Sequence, residues 1–353
     1  AQVKNDLFTT PERPFEGADD YEKAANGADT RKNGEFVNPL INHFFSNYSF
    51  MEPATRLELV KTIFSQINAT VMNQILAQGF ADENSLVVVY SGPEKEGIAT
   101  PTAGQLLQVI DEVKKAEIEA PAADAVTEPL MDPSTLKGGN VKKTSKTVYG
   151  ATEWILSNGA KVVVLPTDHK KDQILFSFYK AGGQSLIPTE DLASFDASIF
   201  GAFQSVQGLS KFKGTDLTKV LSGKMVSVSP FIDNLYNGVS GNSSVKDLET
   251  AFQLLYLNYV DPRFDQKEFD NATSQIKAVL PNLLNTPNFA FQKELNKVLY
   301  NDDPRNEVIS MEKLEKASLQ AIERNYRRLF ADVAGSVMVI VGDVDLDTLK
   351  PLV

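Results

Sequence analysis

Asn158-Gly159 is the pair that most limits how this chain folds. It separates "EWIL" from "AKVVVL", two short runs rich in Trp, Ile and Val. Such a pair suits a two-residue type I′ turn, in which both central positions need positive φ. The spacing therefore predicts a hairpin, with Trp154 at its edge or against the segment that precedes it. A further strand is expected at "DQILFSFY", residues 172–179, stopping at Gly182-Gly183.

Beyond the glycines, "PTEDLASFDASIFGAFQSVQG" reads as a helix. Thr189 is its candidate cap, Glu190 and Asp191 suit the positive end of the helix, and Gly208 is a stop signal. Leu192, Phe195, Ile199, Phe203 and Val206 recur at three- and four-residue steps, which puts them on one face. Strands are expected at 224–233 and 235–242. A helix over "SSVKDLETAFQLLYLNYV" comes next, capped by Ser244 with Asp247 three residues on. More helix fills roughly 264–330, broken at Pro281, Pro287 and Pro304, and "GSVMVIVGDVD" reads as a buried strand. The fold class is α+β, a mainly antiparallel sheet packed against helices.

The segment 119–150, rich in Ala, Pro, Gly, Thr and Lys, reads as an extended linker between two blocks, 1–118 and 151–353. The ends of the blocks are similar. Each runs from a helix through an aromatic-Ala-Asp turn, Phe80-Ala81-Asp82 or Phe330-Ala331-Asp332, into a Val-rich strand ending at Gly92 or Gly342. This repeat implies two copies of one α+β unit, the first present only as its latter part. In the first copy Thr102 caps a helix over "TAGQLLQVIDEVKKAEI"; in the second, "DLDTLKPLV" begins its equivalent. The polar opening, without Met, leads us to expect an internal segment of a longer protein.

The 353 residues suit about two domains. A net charge of −11 argues against nonspecific nucleic-acid binding, which needs a basic face. No apolar run is long enough for a membrane span. With no cysteine, thiolate zinc sites, disulfides and Cys nucleophiles are all absent.

Chemistry-bearing residues are scattered. His43 and His169 are the only histidines, and neither sits in a His-x-x-x-His or related spacing. "GVSGNSS", 238–244, has no partner histidine and reads as a strand end feeding a capped helix. Asp265 with Glu268, and Asp302 with Asp303, sit where acidic residues normally face solvent. The glycine pairs in "KGGN", 137–140, and "AGG", 181–183, lack the flanking residues of a phosphate loop. Asn47, Asn68, Asn242 and Asn271 head Asn-x-Ser/Thr triplets, a common pattern. From the residues, no catalytic, cofactor-binding or metal site is expected.

The stretch "EWILSNGAKVVVLPTDHKKDQILFSFYKAGGQSL" resembles the opening of a unit in the pitrilysin/insulinase family of zinc metallopeptidases, through Leu156, Asn158, Gly159, Ala160, Val162 and the Gly182-Gly183 turn. "FADVAGSVMVIVGDVD" is similar to the last strand of such a unit, and "SGPEKEGIATPTAGQLL" and "GATEWILSNG" look most like the large single-chain bacterial members, in which two halves are joined by a long linker. The resemblance implies a His-x-x-Glu-His helix directly after the glycine turn. Here that helix has no histidine, and its only glutamate is Glu190. The chain is thus expected to be a noncatalytic segment: the end of a second domain, a linker, and a third, silent peptidase-like domain. By the same resemblance, zinc belongs to the parent enzyme upstream, the partners are other domains of the same polypeptide and a peptide substrate, and the location is periplasmic or exported. The alternative is a scaffold or partner subunit of a two-chain peptidase, or a peptidase-like binding protein without activity.

Overall fold

The computed structural model describes residues 33–49, 51–79, 87–92, 100–116, 128–136 and 138–353. They divide into two compact units, Ala1–Ala125 and Val126–Val353.

The described part of the first unit is helical: α1 (Asn33–Ser46), α2 (Pro53–Gln66), α3 (Ala69–Gly79) and α4 (Ala103–Lys115). Helix α4 carries the expected cap. The Thr102 hydroxyl accepts the Gln105 N–H while the Gln105 side chain accepts the Thr102 N–H, so two donors at the helix start are satisfied together. The Val-rich strand expected before it is not formed. Residues 87–92 pair with no strand, and Val87 and Val89 are 81% and 82% exposed. A strand needs a ladder partner for its N–H and C=O groups, and the described part of this unit contains only helices. The Phe80-Ala81-Asp82 turn lies outside the described residues.

The second unit is α+β. Its chain order is β1 (Val141–Lys146), β2 (Thr152–Leu156), β3 (Lys161–Pro166), β4 (Ile174–Ala181), α5 (Ala197–Val206), α6 (Gly214–Val220), β5 (Val226–Ile232), β6 (Tyr236–Ser243), α7 (Leu248–Val260), α8 (Gln266–Leu284), α9 (Pro287–Leu299), α10 (Met311–Lys316), α11 (Leu319–Leu329), β7 (Val337–Gly342) and α12 (Leu346–Leu349). The strands form one sheet in the order β1-β2-β3-β7-β4-β6-β5. Every pairing is antiparallel except β3 with β7. The last strand therefore inserts at the centre, and its alternation buries Met338 and Ile340 on one face.

Two hydrophobic clusters cover one face of the sheet. In one, Trp154, Val162, Val164, Phe176, Phe178 and Ile340 pack with Leu248 and Ala251 of α7. In the other, α5, α8 and α11 bring Ile199, Phe203, Phe269, Ile322 and Tyr326 together with Val239 of β6, which pairs directly with Phe178 and so shares its face. Of the two places expected for Trp154 the second holds: it is 3% exposed, opposite Val162 in the hairpin and beside Thr144 of β1, in the segment that precedes the hairpin.

The hairpin forms, with a different turn. Only Gly159 has positive φ, at 87°. The Gly159 N–H donates to Leu156 C=O (3.1 Å), and the Leu156 N–H donates to Ala160 C=O (2.9 Å). This is a three-residue loop with glycine in the left-handed position, the next most favoured hairpin connection. Asn158 stays out of that region because its side chain accepts the Ala160 N–H at 3.0 Å.

Part of the stretch read as linker is sheet. Val141–Lys146 pairs along β2, with a bulge between Val141 and Lys143. Its three lysines and largely exposed pattern mark a charged edge strand, a device that discourages further pairing. Two more expectations change. Pro281 lies inside α8 without breaking it: Leu280 is buried, and the Asn285 side chain donates to Pro281 C=O (2.9 Å) in the last turn. Helix α7 begins at Leu248, after Ser244, whose hydroxyl accepts the Asp247 N–H at 3.1 Å.

Candidate functional site

The place to look for chemistry is the chain that leaves β4. There Gly182 and Gly183 take φ of 154° and 61°, values open to glycine. They fold the backbone against the β5–β6 turn: the Gly182 N–H donates to Leu235 C=O (2.7 Å) and the Gln184 N–H to Asp233 C=O (2.8 Å). Asn237, 2% exposed, locks the junction. Its carbonyl accepts the Gly183 N–H (3.1 Å) and its amide donates to Leu329 C=O at the end of α11 (2.9 Å). Nothing in the local sequence marks Asn237 as a junction, because its partners lie far along the chain.

The helix expected from Thr189 starts eight residues later. Thr189–Asp191 is a single 3-10 turn, and α5 begins at Ala197 with Asp196 as its cap, accepting the Ser198 and Ile199 N–H groups at 2.8 and 3.2 Å. Asp191 is drawn elsewhere. Its buried carboxylate accepts from Arg324 and from Asn325 Nδ2 (2.9 Å), both on α11. A long-range ion pair thus overrides the local capping signal.

The Arg324 guanidinium holds the Asp191 carboxyl below the usual carboxylate range, against a smaller opposing effect of burial. A depressed folded-state pKa contributes stability that is present above the unfolded value, about 3.9, and lost as pH falls through the folded value. Asp191→Asn is expected to cost about 1–2 kcal/mol at neutral pH, discounted because the Arg324 side chain is half exposed. The variant should also lose less stability than the parent between about pH 5 and pH 2. Urea melts across that range check both outcomes; parallel acid limbs would show that the pair contributes nothing.

On α5 itself, Ile199, Phe200 and Phe203 point inward, and Ser198, Gly201 and Ser205 are exposed. No residue of Ala197–Val206 is ionisable, so the helix offers no carboxylate or imidazole to a metal or to a proton. Behind it stands Tyr326, stacked on Phe330 at 4.1 Å and 5° and packed on Phe264 and Phe200 at 5.5 and 6.1 Å. Burial pushes its phenol pKa far up, and its O–H donates to Asn258 C=O (2.8 Å). It is a packing residue.

The other candidates are dispersed. His43 is in the last turn of α1 in the first unit, its Nδ1 donating to Tyr48 C=O (2.6 Å), and His169 is exposed between β3 and β4. Asp265 caps α8, held low in pKa chiefly by the Glu268 N–H and also by Arg263. Glu268 accepts the Gly208 and Gly214 N–H groups at 3.4 and 3.3 Å, which pins the loop after α5. Asp303 accepts the Arg305 N–H (2.9 Å) in a turn. In "GVSGNSS" the glycines serve the sheet, since a Cβ on Gly238 would lie 2.1 Å from Phe178 O. Among the described residues no three His, Asp or Glu side chains gather into a group able to hold a metal. The described residues therefore present no donor set that fits a zinc ion.

One polar cleft does open beside α5. It has a volume of about 380 Å³ and lies between Gln184, the start of α5, Asn234 of the β5–β6 turn, and the chain from α9 to Lys313. Its floor includes Leu192, Phe195 and Ile309.

No family model matches the chain. A zinc protease PQQL-like protein of Arabidopsis thaliana is 23% identical over 319 residues, covering 89% of this chain and 30% of the relative. The crystal structure of the periplasmic protease PqqL from Escherichia coli aligns with a TM-score of 0.53 and 16% identity, over 99% of this chain and 39% of that one. The fold is pitrilysin/insulinase-like. The ferredoxin protease FusC, an E83A mutant in complex with Arabidopsis ferredoxin, aligns with a TM-score of 0.50 and 17% identity over 91% of this chain and 35% of its own. The chain spans less than two fifths of each of these proteins, and the comparisons support a peptidase-family origin. Within this pitrilysin/insulinase-like fold, α5 is the helix that the resemblance expects to carry the zinc motif.

Proposed function

We propose that the chain is a noncatalytic segment of a zinc metalloendopeptidase, and that its second unit is a peptidase-like domain contributing chamber wall and interdomain surface. The observation that carries this reading is α5: the helix on which the resemblance expects the zinc motif is filled by "ASIFGAFQSV" without one ionisable side chain. Zinc-assisted hydrolysis needs two or three side-chain ligands with one open position and a base for the water, and this helix supplies none of them.

The assignment of 1–118 to a second domain, 119–150 to a linker and 151–353 to a third domain belongs to the proposal, with β1 adding 141–146 to the third domain's sheet. So do a peptide substrate and other domains of the same polypeptide as partners, and a periplasmic or exported location, which the likeness to PqqL supports.

Zinc content after metal loading and desalting, together with cleavage of a quenched fluorescent protein substrate, tests the reading on the chain itself. Zinc at background level and no turnover are expected. One tightly held equivalent, or turnover abolished by a chelator, would overturn it. Reading the coding sequence upstream for His-x-x-Glu-His separates a single-chain parent from a two-chain complex.

A further inference from the structure

We infer that the cleft beside α5 binds the main chain of an extended, uncharged peptide segment, recognised by side-chain amides. This rests on the proposed role as wall of a peptidase chamber and adds what that wall takes hold of.

Five carboxamides cross the cleft in a relay. Gln184 Nε2 donates to Asn234 Oδ1 (2.9 Å), and Asn234 Nδ2 donates to Asn306 Oδ1 (3.0 Å). Asn296 Nδ2 donates to Asn306 C=O (3.0 Å), and Gln292 Nε2 donates to Asn296 Oδ1 (2.6 Å). A carboxamide has two N–H donors and two lone pairs, so Asn234 and Asn296, each giving one bond and accepting one, and Gln184, Gln292 and Asn306, whose side chains make one each, retain donors and acceptors for a ligand. An extended peptide offers the same groups, one C=O and one N–H per residue, about every 3.3 Å.

The charged groups of the cleft are already engaged, which selects a neutral ligand. Asp196 accepts two N–H groups of α5. Arg305 Nη2 donates to Ile187 C=O (3.2 Å), with Asp303 at 3.8 Å from its Nη1. Lys313 Nζ donates to Pro304 and Glu307 C=O (3.3 and 3.2 Å) and pairs with the Glu307 carboxylate at 3.4 Å. An anionic or cationic ligand would have to displace these partners; an uncharged main chain meets only the amides and the apolar floor. The volume falls in the range of roughly 300–1,000 Å³ common for ligand pockets.

The test is fluorescence anisotropy of a short labelled peptide of Ser, Thr, Val and Ala against the whole chain, with an N-methylated version of the same peptide and an oligosaccharide alongside. The plain peptide is expected to bind. N-methylation, which removes main-chain donors, is expected to abolish binding. Asn234→Ala and Asn306→Ala are each expected to weaken it about threefold to tenfold, the effect of one or two neutral hydrogen bonds. Gln184→Ala, at a half-buried position away from the core, gives a third reading should Asn306→Ala fail to fold. Absence of saturable binding, variants that bind like the parent, or binding of the oligosaccharide in place of the peptide overturns the inference. Failure of the noncatalytic reading is distinguishable, because it would be seen as bound zinc or turnover.

Discussion

Tyr326→Ala is expected to destabilise the 126–353 unit by about 3–5 kcal/mol, the usual cost of removing a large aromatic side chain from a packed interior. Tyr326 is 1% exposed and touches three rings: Phe200 on α5, Phe264 in the chain ahead of α8, and Phe330 at the end of its own helix. Deleting the ring leaves a cavity that α11 cannot simply close, because its end is tied to β6 through Asn237. Tyr326→Phe keeps the ring and removes the hydroxyl, leaving the Asn258 carbonyl without its donor, so a loss of about 1 kcal/mol is expected. Urea unfolding followed by Trp154 fluorescence reads both. Trp154 is the only tryptophan and lies in the core of this unit, so its signal reports this unit alone. An alanine variant no weaker than the phenylalanine variant would show that the aromatic stack carries little of the stability.

The elements that sequence made legible are those specified by neighbours along the chain. The hairpin followed from Asn158-Gly159 between β-prone runs, the central strand from the unbroken "VMVIV", and the α4 cap from Thr102 with Gln105. The turn type did not follow, since the Asn158 side chain could either yield the left-handed backbone of a two-residue turn or accept the Ala160 amide, and packing chose the second. The start of α5 shows the limit clearly. Thr189, Glu190 and Asp191 form a good local helix start, but the partner that takes Asp191 is 133 residues away. Local propensity is a weak prior against a buried charged hydrogen bond.

The candidate site divided in the same way. The missing histidines after Gly183 are a fact of one short stretch and were plain in the sequence. The amide relay is drawn from the β4–α5 connection, the β5–β6 turn, α9 and the loop after it. No spacing rule joins Gln184 to Asn306; only the fold does. Likewise Glu268, which reads as one acid on a solvated helix face, is committed to two glycine amides of the loop that leaves α5.

Gly183→Ala is expected to lose about 3–4 kcal/mol in the same Trp154-monitored melt, far more than a methyl group normally costs on a turn. Two effects add. At φ of 61° an L side chain pays roughly 1–2 kcal/mol in backbone strain. The added Cβ would also lie 2.1 Å from Asp233 O and 2.7 Å from Tyr236 N. Both are backbone atoms of the β5–β6 turn, so the overlap is relieved only by moving that turn away from β4. Gly159→Ala is the control. It carries the same kind of strain at φ of 87°, but its Cβ would meet Ala334 at 3.5 Å, an ordinary contact, so about 1–2 kcal/mol is expected. The difference between the two variants isolates the collision from the conformational cost. Equal losses would mean that the β5–β6 turn yields freely, and with it the register that sets Gln184 against Asn234 across the cleft.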